Sequence, residues 1–413
     1  MTTAAARLDN FARLRGEDRS RSAEPDRKPA ASVVFRNARL VLPREVVNGT
    51  LLVEDGRIGA LDSGNSTVAG AIDLEGDYLL PGLVELHTDN FERHLMPRPK
   101  VRWSELPALL AHDAEIAAAG ITTVFDALGV GEADSDSLRA NDWRQVVATI
   151  DTAMSRDLLR ADHHLHARCE LPAPNTLELF EPFRGHPRLS LVSLMDHTPG
   201  QRQWEDISQA RTYYLGKKGW SVEKFERQVS QATNLQAQYA QPNRRFFVDL
   251  CRRERIAVAS HDDTTVAHVA QAHEEGAIIS EFPTTLVAAQ AARDRGLLTV
   301  LGAPNVVRGG SHSGNVAAAG LARAGLLDIL SSDYVPASLL GAAMWLVHDG
   351  ILTLPQAVHA ITRAPAQAGG LRDRGALEQG LRADLVQVHI AEMAGNVRQA
   401  LVRGVWRAGR RML

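Results

Sequence analysis

Cysteine is scarce in this chain: Cys169 and Cys251 are the only two among 413 residues. Two thiols in a chain this long make no disulfide framework, so a reducing compartment is the expected setting. No run approaches the ~18 consecutive apolar residues of a membrane-spanning helix. An apolar signal core is missing from the N-terminus, and a cytoplasmic location is the expectation. Excess charge is also small: 46 Lys and Arg against 49 Asp and Glu give a formal net charge of −3. Nothing global therefore points to a membrane surface or a polyanion. A basic stripe with interleaved aromatics, as in a nucleic-acid groove, is absent too.

What is present is an ordinary globular composition, 45% apolar and 23% charged. The length accommodates one barrel of about 250 residues and a smaller domain. Residues 1–31 mix charged residues, Ala and Pro without a sustained apolar face, and read as a flexible tail. Residues 32–80 are β-rich, with Asp55-Gly56 marking a hairpin turn between two short strands. Residues 376–413 look alike, so the two ends together predict a small composite β-sandwich domain.

Between them, residues 81–375 alternate strands with helical stretches. Eight candidate strands are legible: Leu83–His87, Thr122–Ala127, His164–Glu170, Leu191–His197, Ile256–His261, Ile278–Phe282, Leu298–Ala303 and Ile329–Asp333. Most are short apolar runs, as expected of parallel strands buried on both faces. Amphipathic stretches such as Leu106–Ala119, Val146–Arg160 and Val287–Arg295 lie between several of them. The fold class predicted is α/β, a (β/α)8 TIM-like barrel carrying the composite domain.

The active face of such a barrel is the C-terminal end of its strands. Here five apolar runs stop on cation-binding groups: His87-Thr-Asp89, Glu170, His197, His261 and Asp333. Residues two apart on a strand share a face, so His87 and Asp89 can aim at one ion. Glu170 could bridge to a second ion, with His197 and His261 completing its shell, and Asp333 could bind metal and take a proton from water. Imidazole and carboxylate suit Zn²⁺ first, with Mn²⁺, Fe²⁺ or Ni²⁺ as alternatives, in one or two sites. Taken singly, each residue reads as well as a structural group. Asp333, for example, could cap a helix. Their convergence on one rim is the argument, because burying so many unpaired polar groups for packing alone would be costly. His164 and His166 share the Glu170 face earlier on the strand and are expected in supporting roles.

Loops on the same rim carry cations. Arg98 and Lys100 follow the first strand, and Arg202 follows the fourth. Arg308, Ser311 and His312 sit in a glycine-rich stretch after the seventh. Glycine-rich backbone and arginine forks suit oxyanions, so a small phosphorylated substrate is expected.

The segment Pro81-Gly-Leu-Val-Glu-Leu-His-Thr-Asp89 resembles the strand-one signature of the amidohydrolase superfamily. Longer stretches resemble the diphosphatases of the carbon–phosphorus lyase pathway. They are Glu85-Leu-His-Thr-Asp-Asn90, Pro97-Arg-Pro-Lys100, Ser193-Leu-Met-Asp-His-Thr-Pro-Gly-Gln-Arg-Gln203, Ala259-Ser-His-Asp-Asp263, Gly302-Ala-Pro-Asn-Val-Val-Arg-Gly-Gly-Ser-His-Ser-Gly-Asn315 and Ser331-Ser-Asp-Tyr-Val-Pro336. The resemblance runs from about Val33 to the C-terminus. It implies hydrolysis of α-D-ribose 1-methylphosphonate 5-triphosphate to the 5-phosphate and pyrophosphate. It also implies that His87, Asp89, Glu170, His197, His261 and Asp333 hold one or two divalent metals, with Asp333 as the base.

Two departures from the superfamily stand out. Asp89 occupies the second position of the usual His-x-His pair, and Glu170 replaces the usual carboxylated lysine. The imidazole strands also fall one position early. An amidohydrolase acting on a cyclic amide or ureide is the competing enzyme class, disfavoured by the cationic rim. A non-catalytic scaffold would lack the ligand set. An assembly of identical copies is compatible with the sequence.

Overall fold

The computed structural model describes residues 32–98, 101–132, 143–217, 219–310, 315–393 and 398–413. The tail expected over 1–31 lies outside these, as do Lys100, Ser311 and His312. Among the described residues no helix is long and apolar enough to cross a membrane.

Strands β1 (Val33–Val41), β2 (Val46–Glu54), β3 (Arg57–Ser63), β4 (Ile72–Asp73) and β5 (Tyr78–Pro81) open the chain. Asp55 and Gly56 make the turn between β2 and β3, both with positive φ, 50° and 75°, as a tight hairpin requires. Barrel strands β6 (Leu83–Thr88), β7 (Ile121–Val130), β8 (Asp162–Glu170), β9 (Leu189–Met195), β10 (Ala257–His261), β11 (Ile279–Glu281), β12 (Leu298–Gly302) and β13 (Ile329–Ser331) follow. The chain ends with β14 (Leu385–Glu392), β15 (Arg398–Arg407) and β16 (Arg410–Arg411).

The small domain is one sheet in the order β16-β15-β14-β5-β1-β2-β3, with β4 beside β1. β5 pairs with β1 on one side and β14 on the other, so the C-terminal strands complete a sheet the N-terminal ones leave open. The sheet curls over Phe35, Leu51, Leu79, Leu385 and Trp406. Ile58 of β3 exchanges backbone hydrogen bonds with Gly380 and Leu381 at 2.8 Å each, which draws the far edge over this core. This is the composite β domain expected from the two β-rich ends.

The barrel strands run in chain order, β6 to β13, with every observed pair parallel. All eight predicted strands are present. Four stop short: β11 and β12 by one residue, and β9 at Met195 and β13 at Ser331 by two, so His197 and Asp333 stand in the loops just beyond. The helix expected to reach Arg160 ends at Ser155. Helices after β10 and β11 begin on Thr265 and Thr285, whose hydroxyls accept from the amides of His268 and Ala288. Each thus satisfies one of the unpaired first-turn donors.

Closure is unusual. Between β6 and β13 one backbone bridge is present among the described residues, Thr88 with Asp333. The buried Glu85 carboxylate supplies further links: Oε1 accepts from the His87 amide at 2.7 Å and Ser331 Oγ at 2.8 Å, and Oε2 accepts from the Ser332 amide at 2.6 Å. Ser331 Oγ also reaches His87 O at 2.6 Å.

At the opposite end of the barrel, Asp162 opens β8 against the small domain. Its carboxylate pairs with Arg374 at 2.9 Å, Arg407 at 3.4 Å, and Arg382. Burial opposes ionisation, yet Arg382, Arg407 and Arg374 hold the acid well below the usual carboxylate range. Replacing Asp162 with Asn leaves three buried guanidinium groups short of countercharge. Asp162→Asn is therefore expected to cost about 3–5 kcal/mol of stability, read from the midpoint of urea unfolding. A midpoint unchanged from the wild type would show that the cluster contributes nothing net.

Candidate metal centre and anion cavity

The mouth is assembled from strand ends. β6 delivers His87, β8 Arg168 and Glu170, and β10 His261. β11 ends on Glu281, and His197 and Asp333 follow β9 and β13. Asp262, Phe282 and Asp333, which leave β10, β11 and β13, have φ of 54°, 53° and 53°. Left-handed backbone at non-glycine residues costs roughly 1–3 kcal/mol each and persists only where the surroundings demand it. Here it turns side chains back over the rim.

Two imidazoles are braced from behind by carboxylates. The His197 amide meets Glu170 Oε1 at 3.0 Å, and its Nδ1 meets Oε2 at 2.6 Å. His261 Nδ1 donates to Glu281 Oε2 at 2.9 Å. A ring that donates from Nδ1 and is otherwise neutral keeps the Nε2 lone pair free for a cation. Both Nε2 atoms turn toward Asp262 Oδ2, at 3.8 Å from His197 and 3.6 Å from His261. Ligand atoms of these three residues all lie within 4.8 Å of one another. The donor set is therefore chemically suited to a divalent cation. Burial works against charging His197, but the Glu170 carboxylate outweighs it and raises the pKa.

His87 lies beside this set, its ring stacked 5.7 Å from that of His261. Burial pushes its pKa down. Its Nδ1 is 2.7 Å from Glu281 Oε1, close enough for strong electrostatic contact but off the hydrogen-bond axis. Ser193 Oγ sits between Glu281 Oε2 at 2.8 Å and His166 Nε2 at 2.6 Å. Asp333 is half-buried in the cavity wall, and desolvation first, then the Asp89 charge, pushes its carboxyl up to about 7.

A second buried group, His112, Asp126 and His163, has a composition suited to metal. It is instead consumed by its own hydrogen bonds. His112 Nε2 and His163 Nδ1 both lie 2.8 Å from Asp126, Asn90 contacts His112 Nδ1 at 3.1 Å, and Asp113 lies 3.4 Å from His163 Nε2. Despite burial, Asp126 and Asp113 raise His163 to about 9, so it is an imidazolium held between two carboxylates.

Two cavities meet at the mouth. One, of about 280 Å³, is walled by His87, His197, His261, Asp262, Asp333 and Arg308. The other, of about 700 Å³, is walled by Glu170 and by Tyr213, Tyr214, Trp220, Lys224 and Gln228 from the long insertion between β9 and β10. Arg168, His197, Gln203, Trp204 and Tyr213 border both.

Of the residues singled out in the sequence, His87, His197, His261, Asp333 and Arg308 share the smaller cavity. Glu170 stands behind His197, its Oε1 accepting from that residue's amide and its Oε2 lying 2.6 Å from Nδ1. Asp89 opens the helix Asn90–Leu95 and faces Arg168. Arg202 is buried and ion-paired with Asp263, and it lines neither cavity. Arg98 is exposed and lines neither cavity.

Three further polar residues of the mouth, Glu281, Arg168 and Asp262, have no role in the sequence-based expectations. Glu281 ends an apolar strand on a carboxylate and could have been found by the rule that found the others. Arg168 shares the period-two face of His164, His166 and Glu170. Asp262 could not be found this way. Strand alternation puts it opposite His261, and only its left-handed backbone brings the carboxylate round.

Asp262→Ala is expected to lower divalent-metal content, measured by plasma mass spectrometry, at least severalfold, with Glu170→Ala weaker by roughly 10–100-fold in metal affinity. Full metal occupancy in Asp262→Ala would remove this cluster as a metal centre.

Residues 227–412 match the amidohydrolase family. Over 382 residues the chain is 47% identical to alpha-D-ribose 1-methylphosphonate 5-triphosphate diphosphatase of Escherichia coli (strain K12), covering 92% of this chain and 100% of that protein. A shorter stretch of 64 residues is 45% identical to imidazolonepropionase of Deinococcus deserti, 15% of this chain and 16% of that one. Among solved structures, molinate hydrolase superposes with a TM-score of 0.61 at 15% identity, over 94% of this chain and 95% of that one. The 5-methylcytosine deaminase of Klebsiella pneumoniae with 5-fluorocytosine superposes at 0.60 with 18% identity, over 92% and 97%. These structural likenesses speak for the fold alone. The full-length likeness goes further: the chain belongs to the amidohydrolase superfamily, in the family of the Escherichia coli diphosphatase.

Proposed function

We propose that this protein hydrolyses α-D-ribose 1-methylphosphonate 5-triphosphate, releasing pyrophosphate and leaving the 5-phosphate. The 47% identity across the whole of the Escherichia coli diphosphatase carries the reading. His197, His261 and Asp262 would hold the divalent cation, with His87 and Asp333 beside them in the same cavity. Zn²⁺ suits this imidazole and carboxylate set best, and Mn²⁺, Fe²⁺ or Ni²⁺ would also fit. A cation bound there acidifies water and neutralises charge developing on a phosphoryl group.

The chain's own residues account for the rest. Asp333, a carboxylate in the wall of the same cavity, would take the proton from the attacking water. Attack falls on the α-phosphorus. The bond to the bridging oxygen of the β-phosphate breaks, and pyrophosphate departs. Arg308, in the wall of the smaller cavity, suits the departing diphosphate. The larger cavity, with aromatic faces and glutamines, suits a pentose ring with its phosphonate, and Lys224 supplies a cation there. Glu170 and Glu281 hold the two imidazoles in the tautomer that leaves Nε2 bare.

Phosphorus NMR of the metal-loaded protein tests the reaction directly. Pyrophosphate is expected from ribose methylphosphonate triphosphate, with ATP left essentially intact and dihydroorotate unopened. Ring opening of dihydroorotate without pyrophosphate release would move the protein to the cyclic-amide hydrolases. Arg308→Ala is expected to raise KM for the triphosphate about tenfold with kcat little changed, since it removes binding common to ground and transition states. An unchanged KM would take Arg308 out of the site.

A further inference from the structure

Six arginines are buried among the described residues: Arg168, Arg202, Arg244, Arg374, Arg382 and Arg407. Five of them have a carboxylate at hydrogen-bonding distance. Arg202 meets Asp263, Arg244 meets Glu275 at 2.9 Å, Arg374 meets Asp162 at 2.9 Å, Arg382 meets Asp384 at 3.0 Å, and Arg407 meets Asp157 at 3.0 Å. Arg168 does not. It is 8% exposed, and its Nε and Nη1 are buried without a hydrogen-bond partner. Asp89 is its nearby carboxylate, 3.6 Å from Nη1 and beyond hydrogen-bond reach.

A buried guanidinium with idle donors is costly, and such groups normally neutralise or find an anion. Arginine cannot neutralise. An anion in the adjoining cavities would supply the missing countercharge, and the place for it is given. Arg168 belongs to the wall of both cavities, alongside His197. An anion that satisfies it therefore sits where the polar cavity meets the aromatic one.

We infer that Arg168 is a further catalytic residue, whose guanidinium contacts the non-bridging oxygens of the phosphoryl group under attack. This rests on the phosphate-hydrolase reading above. It places the α-phosphorus at the junction of the cavities, the diphosphate on the Arg308 side and the sugar on the aromatic side. The fork geometry of a guanidinium matches two oxygens of one phosphoryl group. Charge on those oxygens is what a preorganised donor stabilises as the bond to the leaving group breaks.

The test uses the full-length metal-loaded enzyme, with Arg168→Met, Arg168→Lys and Arg168→Ala. Arg168→Met is expected to lower kcat by about 100-fold or more, with metal content and melting temperature unchanged. Its affinity for inorganic tripolyphosphate, read by calorimetry, is expected to fall at least tenfold. Arg168→Lys, which keeps the charge and loses the fork, is expected to restore tripolyphosphate binding but not kcat. Millimolar guanidinium ion is expected to return part of the turnover to Arg168→Ala, which a purely structural arginine would not allow.

Wild-type tripolyphosphate affinity in Arg168→Met, or loss of metal in step with turnover, would overturn the inference and leave the proposed reaction standing. If wild-type enzyme releases no pyrophosphate from the ribosyl triphosphate while tripolyphosphate binding still depends on Arg168, the proposed reaction falls and the anion contact stands. Should Arg168→Met fail to fold, Arg168→Lys decides: wild-type kcat there would overturn the inference.

Discussion

Where β13 returns to β6, the barrel closes less on backbone than on one carboxylate. Glu85 gathers the His87 amide, the Ser331 hydroxyl and the Ser332 amide, and joins two strands with one ladder bridge between them. The consequence reaches the site at once. His87 lies two residues beyond Glu85 on one side of the seam, and Asp333 lies two beyond Ser331 on the other. A shift at Glu85 would move both walls of the cavity together. Burial raises the Glu85 carboxyl to about 7 even against these hydrogen bonds, so its environment strongly resists charge. The seam is thus built for position at a cost in ionisation.

The same economy of donors and acceptors separates structural polar groups from available ones. His112, Asp126 and His163 have metal-like composition, but their ligand atoms are already engaged. At the mouth, Glu170 and Glu281 engage one nitrogen of each imidazole and leave the other facing Asp262. Buried arginines also divide, into those with a carboxylate at hydrogen-bonding distance and Arg168. Composition alone does not distinguish these cases. The distinction lies in which atoms remain unsatisfied after folding.

The aromatic wall has a separate origin. The barrel strands carry the ionic groups, whereas the insertion between β9 and β10 carries Trp204, Tyr213, Tyr214, Trp220 and Phe225. Tyr214 stacks on Trp220 at 4.6 Å, and Lys224 Nζ lies 4.8 Å from the Trp220 ring. This wall is joined to the rim at His197 and Trp204. The ionic groups and the aromatic ones thus come from different parts of the fold.

The local sequence determined the eight strands, the two β-rich ends and the polar character of the strand termini. Buried parallel strands must be apolar runs, and polar residues collect where those runs meet the cavity. It therefore pointed to His87, His197, His261 and Asp333 without help from contacts. Tertiary structure decided which polar group meets which atom. It set Glu170 behind His197, gave Arg202 to Asp263, and turned Asp262 toward the imidazoles through a left-handed backbone. It also left Arg168 without a hydrogen-bonding carboxylate. The physical reason is range: strand periodicity fixes a side chain's face over a few residues, whereas pairing and desolvation are settled between strands that the barrel brings together from far along the chain.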